Sequence, residues 1–141
     1  MIRYCYSPCL LLLSVILALV AQTACDDFST NRKRYEQTVL DTRQALQTNT
    51  QTVHFRTEWN FGLARPEDTN VCARVTKAGS LFVRILTRDN HHAGRYGYAY
   101  TDPPMTSRKQ VSLALDEYGC GEWEQIEKIN EHWWELESHL D

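Results

Sequence analysis

From Tyr4 to Cys25 the chain carries no charged side chain at all; Arg3 precedes the stretch, and Asp26 and Asp27 follow it. Catalytic signatures are missing from the remainder. There is no HExxH or comparable metal-ligand spacing, and none of Ser80, Ser107 and Ser112 stands in a GxSxG elbow. No set of residues meets even the outline of a reaction centre, which argues against an enzyme. Internal repeats and low-complexity linkers are also absent. An excess of positive charge is missing too. Removing residues 1–24 takes away only Arg3 of the 15 basic side chains, so 14 face 18 acidic ones, a net charge of −4. A mildly acidic chain of this kind is not expected to bind nucleic acid.

What is present begins with Leu10–Ala21, an apolar run broken only by Ser14. Its length matches the apolar core of a secretory signal, roughly 7–15 residues. A membrane span wants about 20 apolar residues. Counting back to Tyr4 reaches that length only by taking in Cys5, Ser7, Pro8, Gln22 and Thr23. A cleaved signal is therefore the better reading, with an uncleaved anchor as its rival.

The end of this segment, Val20–Ala21–Gln22–Thr23–Ala24–Cys25, resembles a bacterial lipobox. Ala24 and Thr23 fit that pattern, whereas Gln22 stands where an aliphatic residue is usual. The resemblance covers the signal alone. It implies that the Cys25 thiol receives a diacylglycerol group and anchors the mature chain to a membrane without spanning it. Asp26, next in the chain, resembles the inner-membrane retention signal of some Gram-negative lipoproteins. Ordinary signal-peptidase cleavage near Ala21 or Ala24 is the alternative, and would leave a soluble secreted or periplasmic chain.

Cysteine arithmetic supports the lipid. Of five cysteines, Cys5 and Cys9 leave with the signal. With Cys25 acylated, Cys72 and Cys120 remain as an even pair, and in an oxidising compartment they are expected to form a disulfide. The expected organisation is a signal over 1–24, a short tether over 25–31 and one small domain over 32–141.

Hydropathy patterning gives the elements. A helix is expected from about Arg32 to Gln47, capped by Ser29 or Thr30, with Phe28, Tyr35, Val39 and Leu46 on one stripe and Leu40 beside it. The period then changes to two. Val53, Phe55, Thr57, Trp59 and Phe61 alternate with polar residues, and Val71, Ala73 and Val75 repeat the pattern. Leu81–Leu86 reads as a central strand. Tyr96, Tyr98 and Tyr100 put three rings on one face of another strand and small residues on the other face. Val111, Leu113 and Leu115 suggest a last strand. Trp123, Ile126, Ile129, Trp133, Leu136 and Leu140 step by three and four, which points to a C-terminal amphipathic helix. A hairpin turning at Asn130–Glu131 is the rival there. The expected fold is α+β: an N-terminal helix, a mostly antiparallel meander of about five strands and a C-terminal helix, with both helices on one face.

Charge is uneven. From Asp26 to Lys109 the balance is 13 basic to 9 acidic, and from Gln110 onward it is one basic to 9 acidic. An acidic helix face in solvent explains this simply; a surface for a basic partner, as in an inhibitor or immunity protein, is the functional alternative. Asp89, His91 and His92, with His54 from another strand, form a loose metal candidate, the basis of a metal-dependent hydrolase reading. Tyr96, Tyr98, Tyr100 and Trp134 form a candidate aromatic platform for sugar or peptide, set against a role in the core. The leading expectation is a non-catalytic binding or structural module of the cell envelope, anchored by lipid, needing no cofactor, with an envelope protein or glycan as partner.

Overall fold

The computed structural model describes residues 28–47, 50–57, 69–90 and 94–139. The expected export segment, Cys25 and the first residues of the expected tether lie outside the described residues. So do Trp59 and Phe61 of the first expected strand, and His91 and His92.

The elements run α1 (Phe28–Ala45), β1 (Val53–Phe55), β2 (Val71–Val75), β3 (Leu81–Asn90), β4 (Gly94–Asp102), α2 (Arg108–Glu117), β5 (Gln125–Lys128) and β6 (Trp133–Ser138). All six strands form one sheet in the order β1-β2-β3-β4-β6-β5, every neighbouring pair antiparallel. The α+β class and the N-terminal helix agree with the sequence reading. The helix begins at Phe28, inside the expected tether, so Ser29 and Thr30 lie in its first turn and not at its cap.

The helices lie on opposite faces, because strand period two delivers apolar side chains to both. On one side Tyr35, Val39 and Leu46 pack on Val71, Ala73, Val83, Ile85, Tyr98 and Trp133. Phe28, Tyr35, Tyr98 and Trp133 form an aromatic cluster there, with ring centroids 4.9–6.3 Å apart. Each such ring, taken out of water, stabilises the fold by about 2–3 kcal/mol. On the other side Val111, Ala114 and Leu115 pack on Cys72, Phe82, Ala99, Ile126, Trp134 and Leu136.

Two elements correct the sequence reading. Val111, Leu113 and Leu115 belong to α2, not to a strand. Ser107 and Gln110 form a capping box that starts the helix, and Val111, Ala114 and Leu115 are its buried set while Leu113 is 57% exposed. The C-terminal segment is the β5–β6 hairpin, not a helix. Its turn is fixed at Asn130, whose side-chain oxygen accepts from the backbone N–H groups of His132 and Trp133, both at 3.1 Å. Trp133 and Trp134 are then buried on opposite faces of the sheet, which adjacent helical positions cannot achieve. Among the described residues the sheet thus has six strands, against the five or so expected.

Candidate functional site

A candidate site lies on the α2 face of the sheet. It starts from β3 and β4. Arg84 stands in register with Cys72 on one side and Ala99 on the other, and Arg95 lies on the same face of β4 as Ala99, opposite Asp89 of β3. Between Arg95 and Ala99 comes Gly97, which adds no side chain to that face. A Cβ there would stand 2.5 Å from the Ile85 carbonyl oxygen, so the close strand approach requires glycine.

The opposite wall is the segment after α2, which ends in a Schellman motif. Gly119, at φ +66°, donates to the Asp116 carbonyl, and the Cys120 N–H donates to the Leu115 carbonyl at 2.8 Å. That turn presents Cys120 to Cys72, and the two form a disulfide with Cα atoms 5.6 Å apart. The expected pairing is therefore present. The indole N–H of Trp123 donates to the Cys120 carbonyl, and the Arg74 guanidinium lies 5.0 Å above the Tyr118 ring.

Between these walls is a cavity of about 310 Å³, lined chiefly by Arg84, Asp89, Arg95, Cys120, Gly121 and Trp123. Arg84 is only 8% exposed. Its Nη1 donates to the Asn70 carbonyl at a long 3.4 Å, and among the described residues its Nε finds no acceptor. Its pKa is lowered to about 10, first by burial and then by the nearby charge of Arg95, with Asp89 pulling the other way. Arg95 donates from Nη2 to the Glu122 carbonyl at 2.8 Å and lies 5.2 Å over the Trp123 ring; its Nε also lacks an acceptor. Asn70, itself buried, holds this side together: its side chain bonds Thr57 in both directions and its carbonyl accepts from Leu86.

A second hollow of about 610 Å³ runs between α1 and the β5–β6 turn, lined by Arg32, Glu36, Leu40, Tyr100, His132 and Trp133 among others. The Tyr100 and His132 rings stack there 5.4 Å apart. Arg43 is hydrogen-bonded to Asp102 nearby; that bond raises its pKa.

The residues singled out from sequence divide clearly. Of the candidate platform, Trp134 is 3% exposed and Tyr98 is 1% exposed, so both are core and supply no binding face. Tyr96 and Tyr100 are half-buried beside that core. His54 and Asp89 do not meet. His54 faces Cys72 in the row of Arg84, and Asp89 lies five residues further along β3, on the order of 15 Å away. Among the described residues no three His, Cys, Asp or Glu side chains gather to hold a metal, and no helix is long and apolar enough to cross a membrane.

Sequence reasoning missed Arg84 and Arg95. The available signal was an arginine inside the most apolar strand, since a charge in such a position is seldom buried without a purpose. Set against protein-family models, curated proteins and solved structures, the chain matches none of them.

Proposed function

We propose that this chain is an exported binding module, held to a membrane through lipid on Cys25, which takes its ligand in the α2-face cavity and does not transform it. The observation that carries the reading is Arg84. A buried guanidinium costs several kcal/mol unless something pairs with it, and here it borders an open cavity beside a second arginine. A ligand that completes the pairing accounts for keeping the charge there. The export segment and the Cys72–Cys120 bridge support an oxidising location, where such bridges persist.

The test is native mass spectrometry of the protein isolated from envelopes of its host without reductant. A chain beginning at Cys25 with acyl chains, two hydrogens short at the disulfide and carrying a co-purifying ligand that Arg95→Gln loses, is the expected result. An unmodified Cys25, or full membrane retention of Cys25→Ser, would remove the anchor. A co-purifying ligand indifferent to Arg95→Gln would remove the pocket.

A second reading, a docking surface for a basic partner, draws on the β5–β6 hairpin, where Glu127 stands directly opposite Glu135. It predicts capture of a basic protein that weakens steeply with salt.

A further inference from the structure

We propose that the cavity between Arg84 and Arg95 is a phosphate site, binding a phosphoryl group presented as a monoester or diester. The proposal deepens the binding-module reading and rests on it.

Charge is the first argument. Among the described residues, two guanidiniums and one carboxylate border the cavity, an excess of one positive charge in that set. Among the described residues no ion pair joins Asp89 to either arginine. The excess is held where burial makes it costly, and a bound anion relieves both the desolvation of Arg84 and its repulsion by Arg95.

Donor count is the second. Each guanidinium carries five N–H groups. The contacts described take one from Arg84, to Asn70, and one from Arg95, to Glu122. The Nε–H of each is buried with no acceptor among the described residues. Two forks on different strands need acceptors in more than one plane. A carboxylate offers two oxygens in one plane, while a phosphoryl group offers three or four arranged tetrahedrally, the geometry for which paired arginines are suited.

Preorganisation is the third. Arg95 lies against Trp123 and is tied to the Glu122 carbonyl, and Arg84 is packed in the sheet. Little side-chain freedom is left to lose on binding. The walls are themselves fixed by the Cys72–Cys120 bridge. The volume, about 310 Å³, exceeds that of a bare phosphate ion and leaves room for the group that carries it. The carrier is either a soluble phosphorylated metabolite or the head group of a phospholipid.

The experiment is calorimetric titration of the full chain in a non-ionic detergent, at constant ionic strength. The probes are inorganic phosphate, glycerol phosphate, glycerophosphoglycerol and acetate. Phosphate-bearing probes are expected to bind at least tenfold more tightly than acetate. Arg84→Gln and Arg95→Gln should each weaken them at least tenfold, with Arg95→Lys between the wild type and Arg95→Gln. Preference for glycerophosphoglycerol identifies the lipid head group as source, and preference for the monoesters identifies a soluble ligand; both support the site. If Arg84→Gln does not fold, Arg95→Gln and Arg95→Lys decide alone, since Arg95 lies on the cavity wall. Acetate binding as tightly as phosphate, or phosphate binding unchanged in Arg95→Gln, overturns the proposal. Should phosphate fail while the co-purifying ligand is still lost from Arg95→Gln, the phosphate class falls and the pocket stands. Should that ligand survive Arg95→Gln, the binding-module reading falls with it.

Discussion

The Arg95 guanidinium lies 5.2 Å over the indole of Trp123, and the same Trp123 donates its N–H to the carbonyl of Cys120. One aromatic ring therefore positions a cationic wall of the cavity and ties it to the disulfide. Trp123→Leu keeps an apolar side chain but loses both the cation–π contact and the donor. It should destabilise the fold by about 0.5–2 kcal/mol, read as a lower urea midpoint. It should also weaken phosphate binding, because Arg95 is then free to move. Unchanged binding with the expected loss of stability would show that Arg95 needs no support from the ring.

The Cys72–Cys120 bridge closes a loop spanning a sequence separation of 48 residues. On the chain-entropy account, opening it costs roughly 4 kcal/mol through the unfolded state. Cys72→Ala/Cys120→Ala, compared with wild type by urea unfolding without reductant, should show a loss of that order. Dithiothreitol should lower the wild-type midpoint and leave the double variant unmoved. A wild-type midpoint that ignores the reductant would mean that the bridge is not formed in solution.

Glu127 on edge strand β5 stands opposite Glu135 of β6. Like charges in directly opposed positions are unfavourable. Glu127→Lys should therefore stabilise the hairpin by about 0.5–1 kcal/mol, with a gain that shrinks in high salt. If the hairpin is the surface that meets a basic partner, the same substitution should abolish capture while raising stability. A destabilised Glu127→Lys would mean that other neighbours of Glu135 already offset the repulsion.

How much of this fold was legible depends on what each residue reports. Period-two alternation in Val71–Val75 marked β2, and the apolar run Leu81–Leu86, broken only by Arg84, marked β3, as a strand covered on both faces reads. Tyr96, Tyr98 and Tyr100 marked β4 by period-two alternation, with small residues between them on the other face. The C-terminal segment misled because Ile126, Ile129, Trp133 and Leu136 happen to fall at helical spacing. In a hairpin these positions straddle a turn, and Ile129 is exposed. The helical stripe left Trp134 outside it, whereas the sheet buries both tryptophans.

The cavity was hidden for a different reason. Arg84, Arg95 and Trp123 are far apart in sequence and meet only because β3, β4 and the segment after α2 converge. No local spacing encodes that meeting. The capping box of α2, by contrast, was readable. Ser107 and Gln110 stand three apart just before Val111, and that pair outweighs a three-residue alternation. Ser107→Ala should cost about 1 kcal/mol. Because α2 delivers Cys120, near-ultraviolet dichroism of Trp123 should change along with stability. A variant as stable as wild type would leave the cap without a role in holding the wall.

Tyr118 gives a pH-dependent reading of the same wall. Burial raises its phenol pKa above the ordinary value of about 10, the neighbouring Glu117 carboxylate adds to the rise, and the Arg74 cation over the ring opposes it. Below pH 10 the folded and unfolded chains both hold the proton, so the group adds nothing to the pH dependence. Above pH 10 the unfolded chain ionises first while the folded chain retains its proton. The contribution of Tyr118 to stability is therefore complete below pH 10 and is lost as pH rises through the folded-state pKa. Absorbance at 295 nm, taken as the difference between wild type and Tyr118→Phe, should show one phenol titrating above pH 10. Arg74→Gln should move that titration higher and Glu117→Gln lower. A phenol that ionises at or below pH 10, or that ignores both substitutions, would mean that Tyr118 is more open to water than its packing between Arg74 and Phe82 allows.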